Sequence, residues 1–163
     1  MNADGTINRA ALPAIFNPED LNALEQALRL KDTHPGSTVT ILTMGPGRAA
    51  EIIREGLYRG ADNGYLLTDR AFAGADTLAT SYAIATAIRK IGECDLIIGG
   101  RQAIDGDTAQ VGPQVAEKLG LSQITYTEEI LNVDETARRI TVKRHIDGGV
   151  ETVEGPLPIV LTV

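Results

Sequence analysis

The chain has 163 residues, 43% apolar and 23% charged, enough for one domain with a real core. A net charge of −7, with 4% aromatic residues and no tryptophan, excludes a broad cationic surface for nucleic acid and a base-stacking platform for single strands. No apolar run approaches the roughly 18 residues of a membrane span, and Met1–Gly5 has no signal-peptide pattern.

Met1 to Phe16 mixes turn residues with scattered apolars and shows no periodicity. A helix then begins. Asn17 reads as the N-cap, Pro18 suits the first helical position, and Glu19 and Asp20 complement the dipole. Leu21, Leu24 and Leu28 share one face, Glu25 and Arg29 can pair at i,i+4, and His34-Pro35-Gly36 ends the helix. Ser37 to Met44 is β-branched and apolar, the composition of a buried strand. Gly45-Pro46-Gly47 turns the chain into a second helix, with Ala49, Ile52, Ile53, Gly56 and Leu57 facing inward and Gly60 closing it. Tyr65 to Leu67 reads as a short strand and residues 69–75 as a loop. A third helix runs from about Asp76 to Ile91, with Arg89 and Lys90 at its negative end and Gly92 after it. Its near lack of charge before Arg89 suggests packing on more than one side. Leu96 to Gly99 is a strand, Gln114 to Leu119 a helical pattern, and Gln123 to Tyr126 another strand.

This order, α-β-α-β-α-β-loop-α-β, predicts an α/β fold with a doubly wound parallel sheet and helices on both faces, a Rossmann-like nucleotide-binding architecture. Beyond Glu128 the period changes: Ile140, Val142 and Ile146 alternate with polar positions, Asp147-Gly148-Gly149 signals a turn, and Val150–Val153 and Leu157–Val163 are strand-like. This tail reads as a C-terminal antiparallel hairpin extension. Residues 1–163 read as one domain. A doubly wound sheet normally opens with a strand, whereas this chain opens with a loop and helix and stops within an apolar run. The expectation is truncation at both ends, or completion of the sheet by a partner segment.

The most informative stretch is Gly99 to Pro113, Gly-Gly-Arg-Gln-Ala-Ile-Asp-Gly-Asp-Thr-Ala-Gln-Val-Gly-Pro. A flexible polar loop between a buried strand and a helix start is where α/β proteins hold ligands, and free amides at a helix N-terminus make it an anion site. Gly99 and Gly100 also fit close packing of strand against loop, and Asp105 or Asp107 also fits as a helix cap in a solvated loop. Like charges keep both carboxylates from touching one phosphate. One caps or binds a hydroxyl while Thr108 and the amides meet the anion. Gly45-Pro46-Gly47 falls at the same sheet edge, or is a plain β-to-α turn.

No catalytic residue is expected: the Asp105/Asp107 pair lacks a nucleophile, and His145 reads as a surface strand residue. Cys94, the sole cysteine, reads as a buried small apolar residue and suits a reducing cytoplasm. With two histidines besides, it is too little for a zinc site, so no metal is expected. Any reaction would be carried by a bound cofactor.

The Gly99–Pro113 stretch closely resembles the nucleotide loop of the β subunit of electron transfer flavoproteins. Asn17-Pro18-Glu19-Asp20 with the following Ala-Leu-Glu-Gln-Ala-Leu resembles that family's first helix, and Thr43-Met44-Gly45-Pro46 its second nucleotide-contacting turn. Val142 to Glu151 with Pro158 to Thr162 is similar to its signature near the domain's end. The resemblance implies a heterodimer with an FAD-carrying α subunit. It also implies electron transfer between acyl-CoA or NADH dehydrogenases and other redox proteins, as in fatty acid oxidation. The implied nucleotide contacts are Asn17, Pro18, Met44, Gly100, Arg101, Gln102, Asp105, Gly106, Asp107, Thr108, Ala109, Gln110 and Val111. Many members hold AMP there, and electron-bifurcating members hold a second FAD that takes a hydride from NADH. Thr108 and Val111 resemble the bifurcating version, which favours FAD over AMP. The family's first strand, with a Lys-Gln-Val-Pro-like segment, and its C-terminal arm have no counterpart here, so the chain reads as a core fragment. Two other roles remain compatible with the residues: a stand-alone adenine-nucleotide sensor of the universal-stress type, which lacks its usual Gly-x-x-Gly arrangement here, and an assembly-only domain.

Overall fold

In a computed structural model the described residues are 14–163; the opening residues 1–13 lie outside them. Helix α1 (Pro18–Thr33) starts and stops where its end signals stand, with the Glu25–Arg29 pair closed at 2.8 Å. Leu24 is buried with Phe16 and Ala61, and Leu21, Leu28, Val39, Ile41 and Ile52 pack around them. This cluster joins α1 and α2 (Ala50–Arg59) to strand β1 (Thr40–Met44). Strand β1 pairs in parallel with β2 (Asn63–Leu67).

Several local expectations shift here. The first strand begins at Thr40, not Ser37, and is half-buried where a fully buried strand was expected, because β2 is its one strand neighbour among the described residues. Leu57, expected inside, is 38% exposed, since α2 buries only the stripe through Ile53 and Gly56. Residues 69–75 hold a 3₁₀ turn at Arg70–Phe72, fixed by the Asp69 carboxylate accepting the Ala71 amide at 2.8 Å.

Helix α3 (Thr77–Ile91) is capped by Asp76, whose carboxylate accepts the Ala79 amide at 2.8 Å, and ends at Gly92. It buries Ser81 and Ala85 and packs against α4 (Val111–Leu119). Its apolar composition overstated its burial, for Leu78 and Tyr82 are 59% and 63% exposed. Cys94 is exposed rather than buried, lying in the short connection before β3.

Strands β3 (Leu96–Gly99) and β4 (Ser122–Ile124) flank β8 (Ile159–Thr162), and both pair with it in parallel. This is the main correction to the expected topology: the last apolar run is the middle of a parallel sheet, not part of the antiparallel tail. All four of its residues are buried, as expected where a strand is covered on both faces. Between β4 and β8 the chain makes an antiparallel excursion, β5 (Thr127–Asp134), β6 (Arg139–Ile146) and β7 (Gly149–Pro156), three strands where a hairpin was expected. Ile140 and Val142 of β6 face inward and join Ile124, Ile159 and Leu161 in the larger core cluster. The expected strand Gln123–Tyr126 ends early because Tyr126 takes a left-handed φ of 58°. The fold is thus α/β, a parallel sheet flanked by helices with an antiparallel sheet packed on it. The parallel strands form two hydrogen-bonded sets, β1-β2 and β3-β8-β4.

Candidate nucleotide site

The carboxyl end of β3 sets the loop. The Val163 N–H donates to the Gly99 carbonyl at 3.0 Å and the Arg101 N–H to the Val163 carbonyl at 2.8 Å, so the ladder with β8 runs slightly past the strands. The chain then passes against the first turn of α1. A Cβ on Gly100 would lie 2.7 Å from the Glu19 carbonyl carbon and 2.8 Å from the Asp20 nitrogen, a separation only glycine tolerates.

That approach makes a clamp. The Gly100 N–H donates to Asp20 Oδ1 at 2.7 Å, and the Gln102 N–H to Glu19 Oε2 at 2.8 Å. The Arg101 guanidinium donates to Glu19 Oε1 at 2.9 Å and lies 5.9 Å from the centre of the Tyr126 ring. Asn17 contributes from both ends of its amide: Nδ2 donates to the Gln102 carbonyl at 2.9 Å, and Oδ1 accepts the Ile104 N–H at 3.3 Å. Asn17 therefore makes no side-chain cap on its own helix, the role its sequence position suggested; its Nδ2 also reaches Asp20 at 2.8 Å. Glu19 and Asp20 do more than complement the dipole. They are the residues sequence reasoning undervalued, because their partners lie some eighty positions away.

The second half of the loop is built differently. The Ala103 carbonyl accepts from the Gly106 and Asp107 amides at 3.3 and 3.0 Å, and the Gln102 side chain donates to Asp107 Oδ1 at 2.8 Å. Asp107 and Ala109 then take left-handed φ values of 48° and 51°, uncommon for side-chain-bearing residues and frequent in backbone concavities that bind anions. Helix α4 begins at Val111, three residues before the expected start, and its first internal bond is Gln114 N–H to the Gln110 carbonyl at 3.0 Å. A Cβ on Gly112 would lie 2.7 Å from Thr162 Cγ2, so glycine brings the helix start against the end of β8.

Among the described residues, the amides of Thr108, Ala109, Gln110, Val111 and Gly112 donate to no protein acceptor, while those of Gly100, Gln102 and Ile104 are committed to α1. The structure brings together twelve of the thirteen sequence-selected positions, ten in the loop with Asn17 and Pro18 against it. Met44 stands apart, half-buried at the carboxyl end of β1 with no hydrogen bond to the loop. Thr108, Asp105 and Gly106 are exposed. The chemistry is that of a donor-rich, unpaired helix start, which fits a phosphate oxygen and no cation. It is an open cradle. Two cavities, about 300 and 550 Å³, lie between α1 and β5, the first reaching Val163 beside the start of the loop. No helix among the described residues is long and apolar enough to cross a membrane.

Comparison with known proteins shows the family of the chain. Residues 4–163 match the family model described as the electron transfer flavoprotein domain. The chain is 54% identical over 162 residues to Protein FixA of Azorhizobium caulinodans, covering 97% of this chain and 57% of the relative. It is 51% identical over 158 residues to the caffeyl-CoA reductase-Etf complex subunit CarD of Acetobacterium woodii, with 97% and 59% covered. The electron transfer flavoprotein subunit beta of Clostridium acetobutylicum is 50% identical over 158 residues, again with 97% and 59% covered. The chain spans less than two thirds of the length of these relatives.

Proposed function

The chain belongs to the electron transfer flavoprotein family, in its beta-subunit branch, and on that footing we propose that it supplies the adenine-nucleotide cradle of an electron-transferring heterodimer. The observation that carries this reading is the run of five unpaired amides, Thr108 to Gly112, ending at the positive end of α4. The amides of Gly106 and Asp107 before the run and of Gln114 after it are occupied within the protein.

In this reading α1 acts as a rigid abutment. Asp20 and Glu19 hold the Gly100 and Gln102 amides, and Asn17 ties down Gln102 and Ile104, so the near half of the loop is fixed to α1 beside the left-handed turns at Asp107 and Ala109. Thr108 to Gly112 then meet a phosphate already oriented. The Thr108 hydroxyl adds a donor beside them, and Asp105 and Gly106 border the opening. Preorganisation of this kind lowers the ordering cost of binding. The occupant we favour is FAD, held through its phosphates, because Thr108 and Val111 match the bifurcating version of the loop. When bound, a flavin supplies hydride and one-electron chemistry that none of these side chains provides. The proposed partners are an FAD-bearing alpha subunit and, through it, NADH or acyl-CoA dehydrogenases and other redox proteins, in the cytoplasm.

The test is the visible spectrum of the purified protein with chromatography of the nucleotide it releases. Stoichiometric FAD supports the reading in full. AMP alone supports the cradle and replaces the occupant. ATP alone, or no adenine nucleotide even after incubation with AMP or FAD, overturns it.

A further inference from the structure

Four polar side chains stand behind the cradle, where α3 packs on α4, and their hydrogens run one way. Ser81, with no exposed surface, donates from Oγ to Gln114 Oε1 at 2.9 Å, sharing its proton with the Leu78 carbonyl at 2.9 Å. Gln114 Nε2 donates to Thr77 Oγ1 at 3.4 Å, and Thr77 Oγ1 donates to Gln110 Oε1 at 2.9 Å. A threonine hydroxyl has a single proton. Because Gln114 reaches Thr77 with an N–H, the Thr77 proton goes to Gln110, and the Gln110 carbonyl is the end that accepts it. The Gln110 –NH₂ is left as a donor with no acceptor among the described residues, on the residue at the middle of the cradle that precedes α4.

We propose that Ser81, Gln114 and Thr77 are positioning residues that fix the Gln110 carboxamide with its –NH₂ toward the bound nucleotide, so that this position accepts a phosphate or carbonyl oxygen and rejects a donor. The inference rests on the cradle reading above and adds residues of α3 to it. The chain of donors explains why α3, whose one side-chain bond to the loop is that from Thr77 to Gln110, carries threonine and serine at 77 and 81, one helical turn apart and facing α4. Were Gln110 free to rotate, either end of its amide would face the ligand and the gain in selectivity would vanish. The buried Ser81 hydroxyl also carries a desolvation cost unless it is bonded, and here it is.

The test uses the full chain with AMP as the probe, in calorimetric titrations of wild type, Thr77→Val and Thr77→Ser. Valine keeps the shape and deletes the donor. The expected result is about fivefold weaker AMP binding for Thr77→Val, in line with one neutral hydrogen bond, with wild-type affinity restored by Thr77→Ser. The Gln110 side-chain amide resonances supply a readout that a packing defect would not move. AMP should shift them in wild type and Thr77→Ser, and the shift should be lost in Thr77→Val. Wild-type AMP binding with Thr77→Val unchanged in affinity and in its Gln110 shift overturns the relay alone. Equal losses in Thr77→Val and Thr77→Ser overturn it too, as a packing effect. Absence of wild-type binding to AMP and to FAD overturns the cradle and the relay together.

Discussion

Replacing Gly100 with alanine tests the clamp between α1 and the loop. The added methyl would stand 2.7 Å from the Glu19 carbonyl carbon, against the ~3.5 Å or more that carbon atoms prefer, so the helix start must retreat by roughly 0.8 Å. The neighbouring atoms are backbone, which cannot rotate away as a side-chain tip would. A retreat of that size stretches the 2.7 Å bond from the Gly100 amide to Asp20 to about 3.5 Å, beyond useful hydrogen-bond range. Overpacking of this kind costs about 1–3 kcal/mol and losing a hydrogen bond to a carboxylate about 1.5–3 kcal/mol. Because the two are one displacement and the site is part-exposed, about 3 kcal/mol is the expected sum. For a chain of this size that is a fall in Tm of roughly 6–12 °C, measured by circular dichroism melting. Gly106→Ala is the control: no atom lies within 4 Å of its added methyl, and a shift within about 2 °C is expected. A Gly100→Ala protein melting within about 2 °C of wild type would refute the close approach of α1, and with it the abutment.

Three other substitutions probe separate parts of the reasoning. Thr108→Ala should weaken AMP or FAD binding about fivefold to tenfold while Tm stays within about 2 °C; unchanged affinity in titration calorimetry removes Thr108 from the cradle. Leu161→Ala, in the middle of β8 and fully buried, should cost about 2–5 kcal/mol in urea unfolding, whereas a loss under about 1 kcal/mol would place this strand at the periphery. Asp62 accepts from the Lys31 ammonium at 2.6 Å and from the Val39 amide at 2.8 Å, and these bonds, the Lys31 one foremost, hold its carboxyl below the usual range. A carboxylate depressed in the folded state stabilises above its unfolded pKa of about 4 and loses that contribution as pH falls through the folded value. Asp62→Asn should therefore melt below wild type at pH 7, with the gap closing in acid below about pH 4; a gap independent of pH refutes the linkage.

What the sequence disclosed depended on how local the physics was. Helices α1 and α3 were legible because their ends carry their own instructions: Pro18 and the acidic turn at one start, Asp76 at the other, and Gly36 and Gly92 beyond the ends. Strand β8 was legible as apolar but not as central. A buried parallel strand differs from an edge strand only in what lies on either side of it, here β3 and β4, the farther of them sixty positions upstream. Strand β5 was illegible for another reason: register shifts at Thr127/Glu129 and Ile130/Asn132 break the alternation by which a half-buried strand is recognised. The site followed the same rule. The Gly99–Pro113 loop and the helix after it were legible as a candidate anion site, the one proposed above, yet which of its amides are free depends on Glu19 and Asp20, contacts no spacing rule could supply.

That division within the loop bears on how the site would fail. Its first half answers to α1, where the bonds to Asp20, Glu19 and Asn17 lie within the protein and so belong to folding as well as to binding. Its second half answers to α3 and α4, where the free amides acquire partners only when an anion arrives. Substitutions at 17–20 and 100–102 should thus lower Tm and affinity together, while those at 108, 110 and 77 lower affinity with little change in Tm. The two classes separate on a plot of binding loss against melting temperature. One common trend line through both would mean that the loop moves as a single body, and that α1 is part of the ligand's embrace and not the fixed wall behind it.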